Sequence, residues 1–187
     1  MRNIKHKFID HKINPDTECL IVGTFNPDVE GNEATFFYGR QRNSLWKLLP
    51  IAYGEESLKQ ASLEEKIEFM KKHHVDFIDL IAEIEVEVGQ EHNYDDKYID
   101  SRVKVWTKIE DVIESLRNLK MVCITRKTFT SIPNLRKSVE KLQQLCADKS
   151  ITSNCMITPS RFYNQQKQDE WNYIITMTHP SDKFTTN

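Results

Sequence analysis

Between Glu18 and Pro50 the chain reads ECLIVGTFNPDVEGNEATFFYGRQRNSLWKLLP, and this stretch gathers Asn26, Asp28, Phe36, Phe37, Tyr38, Arg40, Arg42 and Asn43. This is a dense set of polar, aromatic and basic side chains in a loop delivered by a strand, where chemistry tends to sit. An asparagine amide both donates and accepts, so Asn26 or Asn43 can align a water or read the edge of a base, whereas Asp28 can accept a proton. Phe37 or Tyr38 can stack on a planar group, a contact worth about 1–3 kcal/mol per base in single-strand sites. Arg40 and Arg42, with Lys47 and Arg126 elsewhere, can meet phosphates. Each type also has a structural use. Asn26 precedes Pro27 and equally suits a turn; Asn43 suits the cap of a following helix; Phe36, Phe37 and Trp46 suit a core.

The elements that must position these residues can be read around them. Cys19-Leu20-Ile21-Val22 is a short apolar run closed by Gly23, the pattern of a buried strand delivering a loop. A helix is predicted from about Ser44, burying Leu45, Trp46, Leu48 and Leu49. Ser62 and Glu65 form a capping-box pattern that starts an amphipathic helix. Strands are predicted at Val75–Ile81, Lys120–Thr125 and about Asn154–Ile157, with helices around Ile109–Leu116 and Leu135–Leu145. Residues 1–15 read as an irregular or partly helical lead-in with little functional content. Glu83–Asp100 reads as an irregular section whose charged string is solvated. The pattern of Asp169–Met177 fits a helix or a strand. Strands alternating with helices imply a mostly parallel sheet between helical layers, with ligands met at the C-terminal strand ends. That edge would collect Gly23 to Asn43, Asp79, Arg126 and Pro159-Ser160.

With 187 residues, one domain spanning 1–187 is expected. No apolar run approaches the length of a membrane span, and a soluble, cytoplasmic protein is expected. Cys19, Cys123, Cys146 and Cys155 lack the spacing of a zinc or iron–sulfur site and read as reduced core residues. A formal charge of −2 argues against tight, non-specific DNA binding, but not against local basic clusters, because attraction to phosphate acts over about 10 Å at moderate salt. No glycine-rich phosphate fingerprint or nucleophile elbow is present.

Two segments carry a resemblance. Gly23-Thr24-Phe25-Asn26-Pro27 resembles the first motif of the uracil-DNA glycosylase superfamily, with a loop one residue longer than the usual form. Phe37-Tyr38-Gly39-Arg40-Gln41-Arg42-Asn43-Ser44-Leu45-Trp46 is similar to the segment that follows it in the hypoxanthine (deoxyinosine) and mismatch-type branches. Ile157-Thr158-Pro159-Ser160 resembles the second motif, whose loop approaches the DNA strand. His179-Pro180-Ser181 is the alternative second motif if the segment before it is a strand.

The resemblance implies a three-layer α/β/α sandwich with a central four-stranded, mostly parallel sheet. It also implies hydrolysis of the bond between a deaminated base and its sugar, as in base-excision repair, after the base is flipped out of the strand. No metal or organic cofactor is implied. The expected partner is double- or single-stranded DNA with a modified base, bound by a monomer. Implied roles are Asn43, Asn26 and Asp28 in catalysis, Phe37, Tyr38 and Gly23 in base binding, and Arg40, Arg42, Arg126, Pro159, Ser160 and Arg161 in DNA binding. A catalytically weak or inactive relative that binds nucleic acid or a nucleotide, or an unrelated small-molecule α/β enzyme, remains an alternative.

Overall fold

In the computed structural model, residues 1–178 are described. In chain order the elements are β1 (Arg2–Lys5), β2 (Cys19–Gly23), α1 (Leu45–Ala52), α2 (Leu63–His73), β3 (Val75–Asp79), β4 (Ile81–Val86) and α3 (Asp96–Asp100). They continue with β5 (Val103–Trp106), α4 (Ile109–Ser115), β6 (Met121–Ile124), α5 (Pro133–Asp148), β7 (Thr152–Cys155) and α6 (Gln165–Thr178).

The central sheet has the order β3-β2-β6-β7, and every pairing in it is parallel. Strand periodicity divides its side chains between two cores. Cys19, Ile21, Phe77, Met121 and Cys123 face α1, α2 and α6, where Leu45, Leu48, Leu49, Phe69 and Trp171 cover them. Leu20, Val22, Val122 and Ile124 face the other way, onto Ile109 and Ile113 of α4 and Leu135, Val139 and Leu142 of α5. The result is a four-stranded parallel sheet between helical layers, as the sequence predicts. The capping box is present as well: Ser62 Oγ accepts from the Glu65 main chain and Glu65 accepts from that of Ser62.

Three expectations are corrected. A second, antiparallel sheet with the order β1-β4-β5 flanks the first. Residues 1–15 therefore supply a strand, and Glu83–Val86 belongs to another. The expected strand Val75–Ile81 ends at Asp79; the chain turns at Leu80, whose N–H is bound by Gly23 O at 3.0 Å, and re-enters as β4. β7 starts two residues earlier than expected, on the polar run Thr152-Ser153-Asn154-Cys155, which a sheet edge tolerates because one flank of the strand is not paired. α6 settles Asp169–Met177 as helix, so Thr158–Ser160, not the alternative, follows a described strand. His179-Pro180-Ser181 lies outside the described residues.

Candidate active site

Parallel pairing places the strand ends side by side. Gly23 is opposite Asp79, and Val22 is opposite Ile124, just before Thr125. A cleft of about 390 Å³ opens there, lined by Asn26, Tyr38, Asn43, Asp79, Thr125 and Ser160 among others. This volume is in the range of small-molecule sites.

Asp79 is 8 % exposed. His6, carried on the residue after β1, makes a 2.7 Å hydrogen bond to Asp79 Oδ2. The Phe8 main-chain N–H donates to His6 Nδ1 at 3.0 Å. That bond leaves the proton on Nε2, so the imidazole donates to the carboxylate and orients it. Asp79 Oδ1 packs on Gly23, where an added Cβ would lie 2.1 Å from it and 2.5 Å from the Tyr38 hydroxyl. Only glycine permits this approach of carboxylate and phenol to the strand.

Tyr38 adopts φ 55°, a left-handed conformation uncommon for a bulky residue. Its hydroxyl hydrogen-bonds Thr125 Oγ1 at 3.0 Å. Burial first, and then the negative charge of Asp79, push the Tyr38 phenol well above its ordinary value, while the Thr125 bond opposes them. Tyr38 is therefore a neutral hydroxyl at any ordinary pH.

The asparagines share the cleft. Asn26 Oδ1 is doubly engaged, accepting from Asn32 Nδ2 at 2.9 Å and Arg40 Nη2 at 3.0 Å. Asn43 Oδ1 accepts from the Leu45 N–H at 2.9 Å, an Asx-turn that leads into α1, whose N-cap is Ser44. Its Nδ2 has no hydrogen bond among the described residues. The loop of Pro159-Ser160-Arg161 is clasped to this point: Asn43 and Ser160 form a β-bridge, Ser44 N–H donates to Pro159 O at 2.8 Å, and Ser44 Oγ donates to Arg161 O at 3.1 Å. The buried Lys167 of α6 holds the same loop by donating to Ser160 O and Phe162 O. Two segments more than a hundred residues apart thus form one wall.

Not every expected residue joins this group. Asp28 is exposed and outside the cleft lining; its N–H donates to Lys5 O, which ties the long loop to β1 and turns the carboxylate to solvent. Phe37 contributes to the wall but is 3 % exposed and packed among Phe77, Phe8 and His6, a core ring rather than an open platform. Arg42 is exposed and outside the lining. Arg40 is inside the cleft, 4.2 Å from the Tyr94 ring centre. Arg126 lines it too, but is paired with Asp96. Arg161 stands exposed at the rim with φ 69°, next to Phe162, which is 83 % exposed.

Sequence reasoning missed His6, Tyr94, Asp96 and Thr125 as residues of the site. Nothing local marks His6, because its role depends on a contact across 73 positions. Tyr94 and Asp96 sit in the string read as solvated, yet both line the cleft.

The strand order and the cleft at the strand ends define an α/β protein, with a parallel four-stranded sheet between helical layers and its candidate site at the C-terminal strand ends. A similar structure is that of a protein from Methanosarcina acetivorans, solved by solution NMR and proposed to be a uracil DNA glycosylase. Its TM-score is 0.63, with 19% sequence identity over 89% of this chain and 94% of that one. No protein-family model matches the chain, and no match is found among curated proteins. No helix among the described residues is long and apolar enough to cross a membrane.

Proposed function

We propose that the protein is a monofunctional DNA glycosylase that hydrolyses the N-glycosidic bond of a deaminated base, such as uracil, hypoxanthine or a mismatched base, flipped into the cleft. The observation that carries this reading is the joining of Asn43 to the Pro159–Arg161 loop across the cleft from the His6-oriented Asp79 carboxylate. The fold shared with the Methanosarcina acetivorans protein supports it.

In this reading the C1′–N bond breaks and its electron pair leaves with the base, while a water adds to C1′. Asp79 Oδ1, which has no hydrogen bond among the described residues, aligns that water and takes its proton. The free amide Nδ2 of Asn43 donates to the departing base as negative charge develops on it. Asn26, with its oxygen already engaged, shapes the wall. Half-buried Phe25 and exposed Tyr94 offer rings beside the base. Arg161 meets the strand, and Phe162 is an apolar wedge at the mouth, suited to the gap left by an extruded nucleotide.

The test is alkali-induced cleavage of end-labelled oligonucleotides carrying uracil, hypoxanthine, xanthine or mismatched thymine. Wild type is expected to release one of these bases. Asp79→Asn and Asn43→Ala are expected to lower the rate about 100-fold or more, with Asn43→Ala also costing about 0.5–1.5 kcal/mol for the lost bond to the Leu45 N–H. Absence of release from every substrate at stoichiometric protein, or full activity in both folded variants, overturns the proposal.

A further inference from the structure

Next to the cleft lies a larger cavity of about 560 Å³ that base excision does not use. The two compartments share Tyr38, Arg40, Asn43 and Tyr94, so they adjoin at the Arg40–Tyr94 stack. Lys66 of α2 lines the larger one. It is 8 % exposed, and among the described residues it makes no hydrogen bond or ion pair; its Nζ lies 5.6 Å from the centre of the Trp46 ring. Lysine is almost never buried to this extent without a partner, and a surface lysine with an apolar stem normally carries its ammonium out to water. Burial draws the Lys66 ammonium below its ordinary value. The carboxylate whose charge opposes that effect, Glu65, is taken up by the Ser62 N–H in the helix cap.

Arg40 lines the same cavity. Its guanidinium donates to a neutral amide oxygen, that of Asn26, and forms no ion pair among the described residues. Lys59 adds a third cation to the wall, against Glu33 as its one acid. A largely buried lysine that opens onto the cavity and a planar guanidinium, neither of them ion-paired among the described residues, form a donor set for an anion, and a phosphoryl group uses both geometries.

We propose that this cavity is a phosphate-binding compartment, in which Lys66 and Arg40 hold phosphoryl oxygens of a ligand whose base occupies the adjoining cleft. The assignment of the base to the cleft rests on the glycosylase reading; the anion site does not. The phosphoryl group belongs either to a DNA phosphodiester or to a free phosphate, and the two sources are separable by experiment.

Isothermal titration calorimetry with inorganic phosphate, and separately with a duplex carrying a non-cleavable abasic analogue, would compare wild type, Lys66→Met, Lys66→Arg and Lys71→Met. Lys71 is an exposed lysine of the same helix. Lys66→Met is expected to weaken binding by tenfold or more and to reduce the salt slope for the duplex by about one. Lys66→Arg should bind within a few-fold of wild type, and Lys71→Met should be unchanged. Loss confined to the duplex supports the proposal with DNA as the source; loss for both probes supports it with the free anion. Lys66→Met exchanges a buried, unpaired charge for an apolar chain of similar length, so its melting temperature should equal or exceed that of wild type. Unchanged binding of both probes by folded Lys66→Met overturns the proposal. Lys66-dependent phosphate binding in a protein that releases no base overturns the glycosylase reading and leaves this one standing.

Discussion

Gly23→Ala is the sharpest perturbation of the site, because it adds one carbon where carboxylate, phenol and strand meet. The new Cβ would lie 2.1 Å from Asp79 Oδ1, 3.2 Å from Asp79 Cγ and 2.5 Å from Tyr38 Oη. Restoring ordinary contact needs a movement of about 1 Å by the carboxylate, and overpacking of this kind costs roughly 1–3 kcal/mol. Such a movement takes Asp79 Oδ2 out of range of His6, with which it makes a 2.7 Å bond; a hydrogen bond to a charged group contributes about 1.5–3 kcal/mol. The Tyr38–Thr125 bond at 3.0 Å is exposed to the same push. Against these losses stands a gain of about 0.4–1 kcal/mol, because alanine has less freedom than glycine in the unfolded chain.

The net expectation is a destabilisation of roughly 1.5–5.5 kcal/mol, a fall in melting temperature of about 3–20 °C for a chain of this size. Base release should fall further than stability does, because the displaced groups are those of the cleft. Gly54→Ala is the control. Gly54 has φ +77° and nothing within 4 Å of an added Cβ, so the substitution strains the backbone without touching the cleft. It should lower the melting temperature and leave the activity of the folded protein alone. Thermal denaturation followed by circular dichroism, with the oligonucleotide assay on the same preparations, reads both effects. A Gly23→Ala protein that melts within about 1 °C of wild type and retains activity within twofold refutes the packing argument.

Two further outcomes follow from the buried titratable groups. The folded-state value of Tyr38 is raised by burial and by Asp79, so its contribution to stability is intact below about pH 10, the unfolded value, and is lost as pH rises through the folded value. Tyr38→Phe should therefore be less stable than wild type at neutral pH, lacking the Thr125 bond, with the difference narrowing in alkaline denaturation; equal curves at every pH would contradict this. Burial also raises the thiols of Cys123, Cys146 and Cys155, and Cys123 shares a hydrogen bond with Cys19, the largest cause of its shift. Of the four cysteines only Cys155, which is half-buried, should react with an aromatic disulfide in the native protein, and slowly; rapid labelling of two or more would show that the cores are open.

The parts of the fold legible in the sequence were those whose signal is local. The run Cys19–Gly23 and the apolar face of Leu45, Trp46, Leu48 and Leu49 are all buried as their spacing demands. The antiparallel sheet was not legible for two different reasons. β1 buries only Ile4, too little for a pattern. β4 does alternate in Ile84-Glu85-Val86, but the charged residues that follow it drew the whole section into a loop. Asp28 shows the limit of motif reasoning: the resemblance implies a catalytic role for it in a loop one residue longer than the usual form, and its backbone is tied to β1 with the side chain outside the cleft. The carboxylate that does enter comes from the end of β3, placed there by its register opposite Gly23.

The cleft is held by two clasps, and both are long-range. On one side the N-terminal segment lies between β4 and the first loop: His6 N–H donates to Ala82 O, Lys7 N–H to Asn26 O, and Asp28 N–H to Lys5 O, all within 2.9 Å. The segment that delivers His6 to Asp79 therefore also fixes the loop carrying Asn26. On the other side, Ser44 binds both Pro159 O and Arg161 O, so the residue next to Asn43 sets the position of the second loop. Each clasp couples a group inside the cleft to a segment that touches its rim. Reorganising either rim would move Asp79 or Asn43 by the same hydrogen bonds that now hold them, which is why the organisation of this site resides in tertiary register rather than in any one motif.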